Sequence, residues 1–232
     1  MHQNPQFLLD KIGVKFDQID IFSKALVHRS YLNEHKELAL ASNEKLEFLG
    51  DSVLSLVTTK YLFTKYPEYN EGDYTDIKAT IVRTESLADA ARILDLGRYL
   101  MLSRGEEENG GRNNTSILAD TFESIIGIIY LEKGLDQAEK FIIDFLFSDT
   151  LKKIIETKAY LSSKNQLQEY YQEKFRKLPK YEIIDELGPS HDRTYIVGVF
   201  DDGQMLGKGQ GRSKKSAEEE AARQANENIT VT

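Results

Sequence analysis

The chain has 232 residues, enough to bury one sizeable core and leave a second, small domain. Its 40% hydrophobic and 29% charged residues are ordinary for a globular protein, and no stretch approaches the roughly 18 consecutive apolar residues that span a membrane. Cysteine is absent, which excludes disulfides, thiolate nucleophiles and cysteine-held zinc, while a net charge of −8 argues, taken alone, against a nucleic-acid partner. The N-terminal MHQNPQFLLDKIGVKF lacks the basic start, apolar run and cleavage site of a secretory signal. The expectation is a cytoplasmic protein with no membrane association.

From Phe7 to about Thr157 the periodicity is helical almost throughout. Phe7, Leu8 and Ile12 mark one short helix, and Ile21, Phe22, Ala25 and Leu26 a second. Helical stretches follow at Leu46–Leu62, Ile77–Val82, Leu87–Leu94, Ile117–Leu131 and Ala138–Ile155. Punctuation falls between them at Pro67 to Gly72, Gly97, Gly105 to Asn114 and Gly134. No strand alternation stands out, so this half reads as all-α.

After YLSSKN (160–165) the pattern changes. Leu167–Phe175 is a short amphipathic helix, and the runs YEIIDEL, RTYIVGVF and QMLGKGQG are extended, separated by GPSHD and DDG. SKKSAEEEAARQANEN closes the chain as a helix. The result is an α-β-β-β-α unit, a small α+β domain behind the all-α one.

Within the first half, NEKLEFLGDSVL (43–54) carries Glu44, Glu47 and Asp51. With Glu44 at zero on a helical wheel, Glu47 falls near 300° and Asp51 near 340°, a shared face about 60° wide. Leu46, Leu49, Val53 and Leu56 fall at about 120° to 200°, where a core-facing stripe belongs. By itself the segment reads most simply as an amphipathic helix with a solvated acidic face. SILADTFESIIGIIYLEKG (116–134) changes that balance, because Asp120 and Glu123 share a face of a helix that is apolar nearly all round. Carboxylates on a buried helix are costly unless neutralised. The cations in view, Arg112 upstream and Lys133 beyond the helix, are poorly placed to do so. Carboxylates unaccompanied by cysteine or clustered histidine suit Mg²⁺ or Mn²⁺. A shared divalent metal explains both helices, and Gly127, on the side of the acidic pair, leaves room for close approach. Carboxylate-held Mg²⁺ commonly handles phosphates, which makes hydrolytic phosphodiester cleavage the leading chemistry.

NEKLEFLGDSVL resembles the signature of the ribonuclease III family, ILADTFESIIG its second acidic motif, and EGDYTDIKATIVR (71–83) the stretch between them. SKNQLQEYYQ, GPSHDR and GKGQGRSKKSAEEEAA are similar to a double-stranded-RNA-binding domain. The resemblance implies a nuclease domain over 1–158, a linker at 159–163 and an RNA-binding domain over 164–232. It implies that Glu47, Asp51, Asp120 and Glu123 ligate the metal, with Asp51, Glu123, Glu44 and Glu71 as the residues of cleavage. It further implies a homodimeric, Mg²⁺-dependent endoribonuclease of double-stranded RNA, with Mn²⁺ able to substitute and no organic cofactor. Its products would bear 5′-phosphate and 3′-hydroxyl ends, and its substrates would include ribosomal RNA precursors and other structured transcripts. A non-catalytic double-stranded-RNA-binding regulator is the alternative, and the intact set of four acids disfavours it. Asp73 reads as a helix cap, with Asp76 three residues on, and is left out of the site. Lys45 and Ser124 stand where arginine and alanine are common in the family, and Asn165 where threonine is usual. Phe48 falls near 40° on the wheel, away from the leucine stripe, which by itself reads equally as a single exposed aromatic; the resemblance implies that it meets a partner subunit.

The acidity belongs mainly to the first 160 residues, with 19 Lys and Arg against 26 Asp and Glu; residues 161–232 hold 11 against 12. Lys208, Arg212, Lys214 and Lys215 cluster within eight residues. Lys214 and Lys215 follow Ser213, a helix cap, and lysines in a first turn oppose the helix dipole unless a phosphate accepts from them. By the resemblance, Asn165, Gln168, Glu169, Gln172 and the loop residue His191 complete the RNA contact. His28, in ALVHRS, reads as structural.

Overall fold

A computed structural model describes residues 3–38, 40–189 and 192–230. Its contacts divide the chain into Met1–Thr157 and Lys158–Thr232. Among the described residues no helix is long and apolar enough to cross a membrane.

The first unit is helical: α1 (Pro5–Ile12), α2 (Ile19–Ser23), α3 (Arg29–Glu34), α4 (Glu44–Lys65), α5 (Glu71–Ile81), α6 (Thr84–Ile93), α7 (Arg104–Glu108), α8 (Thr115–Lys133), α9 (Leu135–Ile142) and α10 (Ser148–Glu156). The run expected as one helix over Ala138–Ile155 is broken by a π-helical turn at Ile143–Phe147, which rotates the apolar face between α9 and α10. The short helices α3 and α7 escaped the sequence reading because one and a half turns leave no periodicity to detect.

α8 forms the axis of this unit. Ile117, Leu118, Phe122, Ile125, Ile126, Ile128 and Ile129 are buried as their pattern requires, whereas Leu131 near the helix end is 57% exposed. Asn114 caps it by accepting from the Ser116 and Ile117 amides, and Gly134 ends it at positive φ. α4 crosses α8 with backbones in contact. A Cβ on Gly50 would stand 1.8 Å from the Glu123 carbonyl oxygen, and one on Gly127 would stand 2.2 Å from that of Leu46. Only glycine fits at either position.

That crossing corrects the expected face of α4. Its buried residues are Gly50, Val53, Leu54, Val57, Thr58 and Leu62, a stripe turned toward the acidic side. Leu46 and Leu49 are only partly covered, and Leu56 is 55% exposed. The acids therefore border the packed face instead of lying opposite it.

The second unit holds α11 (Ser163–Phe175), an antiparallel sheet β1-β2-β3 (Lys180–Leu187, Thr194–Asp201, Gln204–Gly211) and α12 (Lys214–Thr230). Asp202 and Gly203 form the two-residue turn between β2 and β3, both at positive φ, as a type I′ hairpin requires. Gly207 and Gly209 bring β3 against α12. A Cβ on either would lie within 2.4 Å of α12 backbone, and α12 answers with buried Ala217, Ala221, Ala222 and Ala225. Leu167, Tyr171 and Val199 fill the rest of this small core.

Candidate active site

Three carboxylates converge where α4 crosses α8. Glu47, Asp120 and Glu123 each offer an oxygen, and the three oxygens lie within 4.8 Å of one another. All three groups are half-buried. The convergence follows from packing: Glu47 is one turn before Gly50, and Glu123 is the residue whose carbonyl Gly50 touches. Ser124, buried beside it, donates its hydroxyl to the Asp120 carbonyl at 2.7 Å and to the Asn43 carbonyl at 3.3 Å, tying α8 to the start of α4. Asn43 in turn gives its side-chain amide to the Ala25 carbonyl, so its side chain anchors α4 rather than capping it.

Electrostatics bear the marks of this crowding. Burial, then the charges of Asp51, Glu47 and Asp120, push the Glu123 carboxyl up to about 8. Glu47 is raised by burial first and by Asp120, Glu44 and Asp51 after it. Asp120 is raised by burial, while His28 and Arg29 pull it the other way. Asp51 is exposed and outside the tight trio, one turn beyond Glu47, with its charge felt at Glu123. An all-oxygen donor set, mutually repelling and half out of water, matches the preference of a hard divalent cation.

Beside the trio opens a hollow of about 800 Å³, whose lining includes Arg29, Asn33, Glu44, Glu47, Glu106 and Asp120. Glu44 is exposed at its edge, accepting from the Ser42 hydroxyl at 2.8 Å and standing 3.7 Å from Arg29. The nearby cation is Arg29 rather than Arg112 or Lys133, and it comes from α3, a helix too short to show a periodicity in the sequence. Arg112 instead donates to the carbonyls of Gly97 and Leu100. His28 caps α3 through the Ser30 amide and also borders the hollow. Glu106 comes from α7, inside the Gly105 to Asn114 stretch whose composition predicts a break between helices.

Glu71 is not brought to this site within one protomer. It opens α5, which runs along the later part of α4: Lys78 donates to Ser55 and Thr59, and Tyr74 to the Tyr66 carbonyl. The start of α5 therefore lies beyond Phe63, about 24 Å or more along the helix axis from Glu47. Asp73 has a structural role, though not the expected one. Asn70 is the cap, and Asp73 closes the capping box by accepting from the Asn70 amide. Lys45 is exposed. Phe48 is 78% exposed and shares an outer stripe of α4 with Leu56 and Phe63, the latter 72% exposed.

In the second unit Asn165, Gln168, Glu169 and Gln172 are all exposed on α11, and Lys208, Arg212, Lys214 and Lys215 are exposed at the end of β3 and the start of α12. Glu169 is paired with Lys158 at 2.6 Å. Ser213 caps α12 by accepting from the Ser216 amide, and no described carboxylate lies within ion-pair distance of the four bases. Lys214 also lies 5.8 Å from the centre of the Tyr195 ring. His191 lies outside the described residues. Sequence reasoning did not anticipate Glu219 of α12, whose carboxylate accepts from the Ser163 and Lys164 amides and so holds the start of α11.

Residues 18–150 match the Ribonuclease-III-like family, and residues 163–229 the Double-stranded RNA binding motif. Ribonuclease 3 of Enterococcus faecalis is 42% identical over 225 residues, 96% of each chain. Ribonuclease 3 of Pseudothermotoga lettingae is 40% identical over 95% of this chain and 94% of its own. Among solved structures, the nuclease domain of ribonuclease III from Campylobacter jejuni superposes with a TM-score of 0.58 at 37% identity, covering 62% of this chain and 96% of its own. That structure is described as showing flexibility in a region involved in dimer formation of the nuclease domain.

Proposed function

The chain belongs to the ribonuclease III family and is a double-stranded-RNA endoribonuclease, and on that premise we propose that it is a Mg²⁺-dependent hydrolase centred on Glu47, Asp51, Asp120 and Glu123. The convergence of Glu47, Asp120 and Glu123 to within 4.8 Å is the observation that carries this reading. A divalent cation held there supplies positive charge to a phosphodiester and acidifies water beside it. Glu47 and Asp120 would hold the cation from facing helices, and Glu123 would join them once deprotonated. Asp51 supports the cluster electrostatically from the next turn of α4. Hydrolysis breaks the P–O3′ bond: water attacks phosphorus, the 3′-oxygen leaves as a hydroxyl, and the 5′ end keeps the phosphate.

Asn165, Gln168, Gln172, Lys208, Arg212, Lys214 and Lys215 hold the duplex in this reading, through phosphates and 2′-hydroxyls and largely without regard to sequence. Glu169 joins them by exchanging its Lys158 partner for RNA. The exposed stripe of Phe48, Leu56 and Phe63 makes α4 the proposed homodimer face. Residues 1–158 act as the nuclease domain and 164–232 as the RNA-binding domain, joined by 159–163. The proposed setting is cytoplasmic processing of ribosomal RNA precursors and other structured transcripts.

The test is incubation of the full chain with a perfect RNA duplex, its single strands and a DNA duplex of the same sequence, with and without Mg²⁺ or Mn²⁺. The expected outcome is cutting of the RNA duplex only, with either metal, to fragments that ligate through a 5′-phosphate. Equal cutting in a chelator, or 3′-phosphate ends, would overturn the metal assignment.

A further inference from the structure

The hollow beside the acidic trio must admit a polyanion, yet Glu44, Glu47, Glu106 and Asp120 all face it. Arg29 is the one Arg or Lys in its described lining. Arg29 is the first residue of α3, and the His28 cap beneath it holds its backbone in place. Its side chain is 74% exposed. The nearest carboxylate oxygen, on Glu44, is 3.7 Å away, too far to consume an N–H donor, and no other described residue accepts from the guanidinium. Arg112 is the contrast: its guanidinium is spent on Glu107 and two backbone carbonyls. Glu44 itself is steadied by the Ser42 hydroxyl, so it draws the guanidinium toward the hollow without occupying it. A planar fork with its donors free, at the entrance of an otherwise acidic hollow, matches the oxygens of a phosphate.

We propose that Arg29 is a substrate-binding residue that grips a backbone phosphate flanking the scissile linkage as the RNA strand enters the hollow. The inference rests on the ribonuclease reading above and adds to it a specific contact from α3. It explains how a strand of like charge is drawn into the hollow and fixed in register with Glu47, Asp120 and Glu123. Arg29 acts on a flanking phosphate, so its loss costs positioning while leaving the carboxylate trio in place.

The experiment compares wild type, Arg29→Ala and Arg29→Lys on a duplex that is either all-phosphate or carries one neutral methylphosphonate at each linkage flanking the cut in turn. In wild type, neutralising one particular flanking linkage should slow single-turnover cleavage about 10-fold or more. Arg29→Ala should cut the all-phosphate duplex about 10- to 100-fold more slowly, and that same methylphosphonate should then cost it almost nothing further. Arg29→Lys, a point charge without the fork, should recover part of the rate. Arg29→Ala cutting within about twofold of wild type, or remaining as sensitive as wild type to every methylphosphonate, would overturn the proposal. A wild-type protein that cuts no duplex at all overturns the ribonuclease reading and this inference with it.

Discussion

At Glu123 burial and three neighbouring carboxylates all push the same way, toward keeping the proton, and carry its carboxyl to about 8. In the unfolded chain the same group ionises near 4.5. The folded state therefore binds more protons than the unfolded one across this interval, and stability falls as pH rises from about 4.5 to about 8. Glu47 and Asp120, raised as well, add to the same slope. In chelator, the melting temperature at pH 8 should lie below that at pH 5.5 by roughly 3–6 °C, or about 1–2 kcal/mol once screening by water is allowed for. Mg²⁺ should restore it at pH 8, because binding to the folded state alone stabilises that state. Glu123→Gln should remove most of the pH slope in chelator and most of the Mg²⁺ gain, while duplex binding survives and cleavage at low Mg²⁺ falls by orders of magnitude. A calorimetric scan of both proteins at two pH values, with and without Mg²⁺, reads the pH slope and the Mg²⁺ gain; a duplex titration and a cleavage time course read the other two. A wild-type melting temperature that climbs over this pH range would contradict the site as described.

Among the elements, the crossing of α4 and α8 does the most for function, since it alone converts two separate acidic faces into one trio. It depends on two glycines. Gly127→Ala places a methyl 2.2 Å from the Leu46 carbonyl oxygen, which only separation of the helices relieves. Overpacking of this kind costs about 1–3 kcal/mol, and backbone against a methyl belongs at the upper end. The variant should melt roughly 5–10 °C lower and lose cleavage even at high Mg²⁺, because separating the helices spreads the three oxygens. Gly105→Ala is the control: no atom lies within 4 Å of the added methyl, and the chain there is already helical. It should be neutral or stabilise by up to about 1 kcal/mol. Thermal melts of the two variants beside the wild type decide the matter, and equal melting temperatures for Gly127→Ala and wild type would contradict the crossing.

For the whole molecule, charge is apportioned between two units with different partners. The net negative charge lies mainly in the first 160 residues, where 26 Asp and Glu face 19 Lys and Arg, and the uncompensated bases Lys208, Arg212, Lys214 and Lys215 all belong to the other unit. Each phosphate neutralised by a lysine releases counterions, so affinity for RNA falls with salt in proportion to the contacts made. Replacing Lys214 and Lys215 by Ala should weaken duplex binding for any sequence and reduce the slope of log affinity against log salt by about 1 to 2. Titrations over a range of salt concentrations provide the measurement. An unchanged slope would place those lysines away from the phosphates.

Much of this was legible in the residues themselves. The all-α and α-β-β-β-α organisation, the buried character of α8, the Asp202–Gly203 hairpin region and the five acids on α4 and α8 all follow from local pattern, because periodicity and turn chemistry are properties of neighbouring residues. Other features needed the folded chain. The wheel put the α4 core stripe opposite the acids, but Gly50 against Glu123 turned that stripe toward them, a contact between residues 73 positions apart. Asp51 proved peripheral to the trio, and Glu71 proved remote within one protomer. Arg29 and Glu106 were invisible because α3 and α7 are too short to carry a repeat. The sequence alone determined which residues are acidic, basic, apolar or free of a side chain, and in what order. Tertiary structure decided which of them meet, because distance in space is set by helices packing across the chain and not by spacing along it.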